Sequence, residues 1–174
     1  MALLLAVNGV NPVFGDNCFL APNATIVGDV KMGNNCSVWF NAVIRGDVHS
    51  IIIGHDTNIQ DGAIIHCTYQ KAATIIGNRV SVAHNAIVHG CTIEDDALIG
   101  MGAIIMDNAI VGRGAVVAAG AVVLQNSILE PGFIFAGAPA KKIKPVPEEM
   151  AKALARTAQN YILYPTWYDD LNKF

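Results

Sequence analysis

Aliphatic residues recur at every sixth position along most of this chain. Phe14, Leu20, Ile26, Met32, Val38 and Ile44 keep that interval, and so do Ile93, Ile99, Ile105, Val111, Val117, Val123, Leu129 and Phe135. Two shorter runs between them, Ile53/Ile59/Ile65 and Ile76/Val82/Val88, hold the same beat. A second beat of small residues follows four positions later: Cys36, Ala42, Ala63, Ala86, Ala97, Ala103, Ala109, Ala115, Ala121 and Ser127. Hexapeptide periodicity is a β-helix signature. Three hexapeptides supply three short strands and three corners, with each aliphatic pointing into a triangular prism and each small residue fitting where the chain turns. The positions group as 14/20/26, 32/38/44, 53/59/65, 76/82/88, 93/99/105, 111/117/123 and 129/135, which is about seven coils. Stacked coils form parallel strands roughly 4.8 Å apart, so equivalent positions become columns. The spacing itself does not set the hand of the helix.

After Phe135 the beat stops. Gly137-Ala138-Pro139 breaks the pattern, Lys141, Lys142 and Lys144 follow, and Pro145-Val146-Pro147 leads into Glu148-Glu149-Met150. Proline ahead of two glutamates is a helix start. Met150, Leu154, Ala158 and Tyr161 fall on one stripe, so a helix from about Pro147 to Tyr164 should lie along the prism and cover one face. The chain thus divides into a β-helix over 1–144 and a C-terminal helix and tail over 145–174, the aromatic end from Tyr164 to Phe174 folding back or meeting a neighbouring subunit.

Three irregularities interrupt the period, and all follow the third strand of a coil: Ile44 to Ile53, Ile65 to Ile76 and Val88 to Ile93. They gather on one corner edge, and solenoids carry insertions on the functional face. His66 and His89 stand there, each directly after a core aliphatic, in equivalent positions of successive coils. His84 comes two residues after Val82, near a different corner. Within one chain it is out of easy reach of the other two, whereas prisms packed side by side could bring it to the His66/His89 column of a neighbour. Three imidazoles with an open fourth position suit a catalytic zinc, whose bound water is acidified toward a pKa of about 7. Ferrous iron and cobalt accept the same ligands. A single outward histidine on a solenoid is more often plain polar surface. Three in positions that can converge at the irregular edge reverse that reading.

Other polar residues share these columns. Arg45 follows Ile44 as His66 follows Ile65, which stacks Arg45, His66 and His89. Asp61 is two residues after Ile59, beneath His84, where a carboxylate orients an imidazole. Gln60 offers an amide to a reacting oxygen, and Asp47 can pair with Arg45 or with an arginine across an interface. A subunit-interface ion-pair network is the plainer role for Arg45, Asp47 and Asp61, and both roles can hold.

Composition narrows the partners. The chain has 174 residues, 53% of them apolar and 14% charged, with a formal charge of −3 at pH 7. These values fit one compact domain with a tail, and no basic run implies a nucleic-acid partner. Met1 to Val7 is apolar but lacks a basic leader and reads as a first strand capping the prism. No stretch approaches the 18 or so apolar residues of a membrane span, which predicts a soluble protein with no membrane partner. Four cysteines occur without a C-x-x-C pair. Cys18 and Cys36 take the small inward position, Cys67 and Cys91 lie at corners, and reduced thiols in a cytoplasmic protein are expected.

Arg45-Gly46-Asp47, Asn58-Ile59-Gln60-Asp61, His66 and His84-Asn85-Ala86-Ile87-Val88-His89-Gly90 together resemble the pattern of the gamma-class carbonic anhydrases, across about residues 8 to 164. The resemblance implies a homotrimer of left-handed β-helices with three metal ions at its interfaces. It implies hydration of carbon dioxide to bicarbonate by a metal-bound hydroxide. It also implies that His66 and His89 come from one subunit and His84 from the next. One departure concerns proton transfer: Val48 stands where the best-studied form has a glutamate, and the loop from Cys67 to Thr74 has no acid. The chain is more similar to a shorter subclass lacking those glutamates, and His49, Tyr161 and Tyr164 are the candidates here to substitute in proton transfer. Two other readings share the fold. One is a hexapeptide acyltransferase or acyl-CoA-linked accessory protein with a single histidine base, and the other is a metal-binding scaffold without activity.

Overall fold

The computed structural model describes residues 1–168. It is a left-handed parallel β-helix of about seven coils closed by one C-terminal helix. The three columns of core aliphatics form its three faces. Phe14, Met32, Ile53, Ile76, Ile93, Val111 and Leu129 stack in register on the first. Leu20, Val38, Ile59, Val82, Ile99, Val117 and Phe135 stack on the second. Ile26, Ile44, Ile65, Val88, Ile105 and Val123 stack on the third, with Leu4 of the short opening strand Leu3–Leu5 beneath them. Ile26, Ile44, Ile59, Ile65, Ile99 and Ile105 have no exposed surface at all, so these columns are the core. Burying a side chain of this kind contributes roughly 1.5–3 kcal/mol.

Corners explain the other periodic positions. Asn17, Asn35, Asp56, Arg79 and Asp96 stand above one another between the first and second faces, all with φ between 55° and 64°. Asn and Asp, four of the five, tolerate this left-handed conformation, and the side chains of this ladder, Arg79 included, also tie the coils together. Asn17 Nδ2 donates to Asn35 at 3.3 Å, Asn35 Nδ2 to Asp56 at 2.9 Å, and Arg79 Nε to Asp96 at 2.6 Å. His55 belongs to the same corner, its Nδ1 accepting the Asn34 amide at 2.9 Å.

The corner between the third and first faces is built differently. Strands Thr25–Met32 and Val43–Ile53 run straight through it, joining the two faces into one twelve-stranded sheet. Above them the loop after His66 and the shortened step after Val88 take the same place, so the three breaks in the period lie on one edge.

Helix α1 spans Glu148–Leu163 and docks through Leu154, Ala158 and Tyr161; Met150, in its first turn, stays exposed. Tyr161 meets Trp39 edge-on with ring centroids 5.5 Å apart. The 3₁₀ turn Tyr164–Tyr168 folds back so that Tyr168 packs on Phe19, Trp39 and Phe40. The remainder of the tail, 169–174, lies outside the described residues. All four cysteines are free, and among the described residues no helix is long and apolar enough to cross a membrane.

Candidate metal centre

His66 and His89 are brought together by strand register. Ile64–His66 and Ile87–His89 pair residue for residue, so His66 lies directly beside His89. Ile65 and Val88 point into the core, and the residue after each must therefore point outward. The two rings lie 5.1 Å apart, with His66 Nδ1 and His89 Nε2 facing each other at 3.1 Å. Their outer nitrogens both meet carboxylates. His66 Nε2 is 3.1 Å from Asp47 Oδ1, and His89 Nδ1 is 2.6 Å from Asp107 Oδ1. Burial alone would raise both acids. Hydrogen bonds from Arg45 and His66 outweigh it at Asp47, those from Thr68 and His89 do so at Asp107, and both carboxyls fall below their ordinary value.

That arrangement fixes the protons. An ionised carboxylate only accepts, so the N–H groups are His66 Nε2–H and His89 Nδ1–H. With both rings neutral, the nitrogens that face each other then carry two lone pairs 3.1 Å apart. Such a pair repels unless a proton or a metal cation is shared between them. Two nitrogen ligands of one tetrahedral zinc lie about 3.3 Å apart, given Zn–N bonds near 2.05 Å. The donor set therefore fits a zinc-like ion, with the carboxylate behind each imidazole that such ligands usually have.

His84 stands alone at the corner between the second and third faces. Its Nδ1 is 2.9 Å from Asp61 Oδ2 in the coil below, which leaves Nε2 as the nitrogen free to bind. Among the described residues, no group of three His, Cys, Asp or Glu side chains converges on one point within the chain. Gln60 is on His84's side of the prism: it is 5% exposed, its amide donates to Asn58 at 2.9 Å, and it lines a cleft of about 350 Å³ with His84, Leu98, Met101, Leu154 and Tyr161. Tyr161 is raised in pKa by burial and by the Asp61 charge, so its hydroxyl keeps its proton.

The structure thus sorts the candidate residues into two groups. Arg45, Asp47, His66 and His89 form one, Arg45 reaching Asp47 and not the imidazoles. Gln60, Asp61, His84 and Tyr161 form the other. His49 binds its neighbour Ser50 and lines a separate cleft beside Asp47, and Tyr164 packs on Tyr161 and Trp167. Sequence reasoning missed Asp107, Thr68 and Thr74. A rule used for Asp61, a carboxylate two residues past a core aliphatic, would also have marked Asp107, two past Ile105.

A repeat of this kind belongs to a recognisable class. The family model for "Bacterial transferase hexapeptide (six repeats)" matches residues 11–46 and 90–125. A solved Bacillus cereus protein described as a candidate acetyltransferase superposes with a TM-score of 0.94, is 38% identical and covers 98% of each chain. Among curated proteins, one from Methanocaldococcus jannaschii named "Probable carbonic anhydrase" is 47% identical over 84% of this chain and 91% of its own. Escherichia coli "Protein YrdA" is 38% identical over 91% and 90%. Arabidopsis thaliana "Gamma carbonic anhydrase 2, mitochondrial" is 40% identical over 91% of this chain, which spans 59% of that protein's length. The chain belongs to the gamma-class carbonic anhydrase family of hexapeptide-repeat β-helices.

Proposed function

We propose that the chain is a metal-dependent carbonic anhydrase, working in the cytoplasm as a homotrimer that interconverts carbon dioxide and bicarbonate. The observation that carries this reading is the pair of imidazole nitrogens facing each other at 3.1 Å with a carboxylate behind each ring. His66 and His89 of one subunit and His84 of its neighbour would hold the ion. Zinc is the default, with ferrous iron or cobalt chemically equivalent in ligand taste. When bound, such an ion acts as a Lewis acid that brings the ionisation of its water near pH 7.

The chain's own residues do the rest. Asp47, Asp107 and Asp61 each hold one imidazole proton, so that the opposite nitrogen keeps its lone pair outward. Arg45 neutralises Asp47. Gln60, whose amide nitrogen donates to Asn58, lines the cleft it shares with His84, and its amide oxygen is left to accept from a substrate hydroxyl. Ile87, Ile104 and Met106, around a cleft of about 320 Å³ beside His89, give carbon dioxide an apolar surface to approach along. The decisive experiment is metal analysis of the purified protein together with stopped-flow carbon dioxide hydration. Hydration that depends on a stoichiometric divalent ion supports the reading, and a fully metallated trimer with none reduces it to a metal-binding scaffold.

The acetyltransferase description of the Bacillus cereus structure favours a second reading, acyl transfer from an acyl thioester with one histidine as base. That chemistry needs one imidazole, not three each backed by a carboxylate. Acetyl-CoA turnover without metal would favour it.

A further inference from the structure

The eleven-residue step from Ile65 to Ile76 holds no acid, yet it is not an idle insertion. It closes as a small hairpin in which Thr68 and Ala72 form an antiparallel bridge. This brings Thr68 Oγ1 to Asp107 Oδ2 at 2.6 Å, across 39 residues of sequence. The other oxygen of Asp107 accepts His89 Nδ1–H at 2.6 Å. Thr74 closes the base of the hairpin: its hydroxyl donates to the His66 carbonyl and accepts the Gly90 amide at 2.9 Å. Gly90 makes the closure possible. Its φ is +55°, and a Cβ there would lie 2.6 Å from Asp107 Oδ1 and 2.8 Å from Ala72 Cβ.

We propose that Thr68 is a positioning residue for the metal centre, acting through Asp107 on His89. A carboxylate held at one oxygen can still turn about its Cβ–Cγ bond, and an imidazole held by a turning carboxylate turns with it. The Thr68 hydroxyl pins the second oxygen, so the His89 ring is fixed with Nε2 facing His66 Nδ1. Thr68 touches neither substrate nor ion. The inserted hairpin thereby has a task in this chain that needs no acidic side chain. The inference rests on the metal-centre reading, since a fixed Nε2 matters only where something binds it.

The test measures zinc affinity of the purified trimer by chelator competition, for wild type, Thr68→Ser, Thr68→Val, Asp107→Asn and Thr68→Val/Asp107→Asn, alongside the melting temperature of each zinc-free protein. Removing such an outer partner costs about 10- to 100-fold in metal affinity, which is expected for Asp107→Asn. Thr68→Val should lose part of that, roughly 3- to 10-fold, and Thr68→Ser should restore wild-type affinity. The double variant should bind no more weakly than Asp107→Asn alone, because Thr68 has nothing to pin once the carboxylate is gone. A merely structural hairpin would give losses that add and that follow the zinc-free melting temperature. Thr68→Val with wild-type affinity, or additive losses, overturns the proposal while leaving the metal centre in place. Wild type that takes up no zinc removes both.

Discussion

Where the third face meets the first, two imidazoles from successive coils face each other, and Asp47 and Asp107 stand behind them; the His66 and His89 side chains are 16% and 36% exposed. Where the second face meets the third, His84 has one partner, Asp61, and the two side chains are 42% and 41% exposed. The first cluster is dense and self-assembled by register. The second is a single open imidazole. A site complete within one chain would need a third donor beside the first cluster, whereas His84, the proposed third donor, stands at another corner with its Nδ1 held by Asp61. This contrast in partners supports the proposal that each cluster is half of a site, which rotation of a second copy would join.

Breaking either half should have the largest effect. His66→Ala, His89→Ala and His84→Ala should each remove most bound metal and the hydration activity, while His49→Ala and His55→Ala keep both, because those rings serve a neighbouring amide and a corner ladder. The sharper experiment mixes the halves. When His84→Ala and His66→Ala subunits are refolded together in equal amounts, every mixed trimer has one interface with all three histidines intact. About a quarter of the wild-type sites should return, as random assembly of a cyclic trimer requires. No recovery by metal analysis, with mixed trimers shown by mass spectrometry, would mean that the halves do not meet across subunits.

The carboxylates test the same contrast one step down. Asp47→Asn strips an acceptor from His66 and a partner from Arg45, whereas Asp61→Asn touches His84 alone. Metal affinity should fall within the range of about 10- to 100-fold for both, with Asp47 toward the upper end. Equal losses would show that the dense cluster gains nothing from its density.

How far the sequence discloses these halves depends on where the period holds. The three core columns, the breaks on one edge and the pairing of Asp61 with His84 follow from counting in sixes, because parallel register copies sequence spacing into space, and the helix follows from the proline and glutamates that start it. Asp107 has the same spacing from Ile105 as Asp61 from Ile59, but with Val88 paired to Ile105 it aligns with Gly90, so its bond to His89 runs diagonally between columns, which counting along one column does not show. Thr68 escaped because an eleven-residue loop has no period to read. The position of Gln60 was legible, but its hold on Asn58 depends on side-chain packing that spacing does not encode.

A region away from both halves supplies the control. At the first corner, Asp95 accepts the Asn78 amide and faces Arg113 and Arg79, and these contacts hold its carboxyl below the ordinary range despite burial. A depressed carboxyl contributes stability that is present above the unfolded value of about 3.9 and lost as pH falls through the folded value. Thermal melts should therefore be insensitive to this group from neutral pH down to about 4 and weaken below that. Asp95→Asn should flatten part of the acid-side fall and leave zinc content unchanged. Zinc loss in this variant would tie the regular corner to the site.

Smaller effects separate turnover from binding. With Val48 in place of an acid and none from Cys67 to Thr74, proton exit is expected to limit hydration, so concentrated imidazole buffer should speed it. Gln60→Ala should lower the rate about tenfold without loss of metal, because it orients an oxygen and holds no ion. A rate indifferent to buffer would show that the missing acids do not matter.

The smallest effect is expected at Tyr161. Its ring packs edge-on against Trp39 and the residue lines the cleft with His84 and Gln60, while burial and the charge of Asp61 keep its hydroxyl protonated. A hydroxyl that does not release its proton near neutral pH is a poor proton carrier, so its contribution to turnover should come through packing alone. Tyr161→Phe keeps the ring and removes only the hydroxyl. Its melting temperature and hydration rate should stay close to wild type, within a factor of about two in rate. A tenfold loss of rate with unchanged metal content, repaired by imidazole buffer, would instead make Tyr161 the proton route and give the open half a chemical task that the dense half lacks.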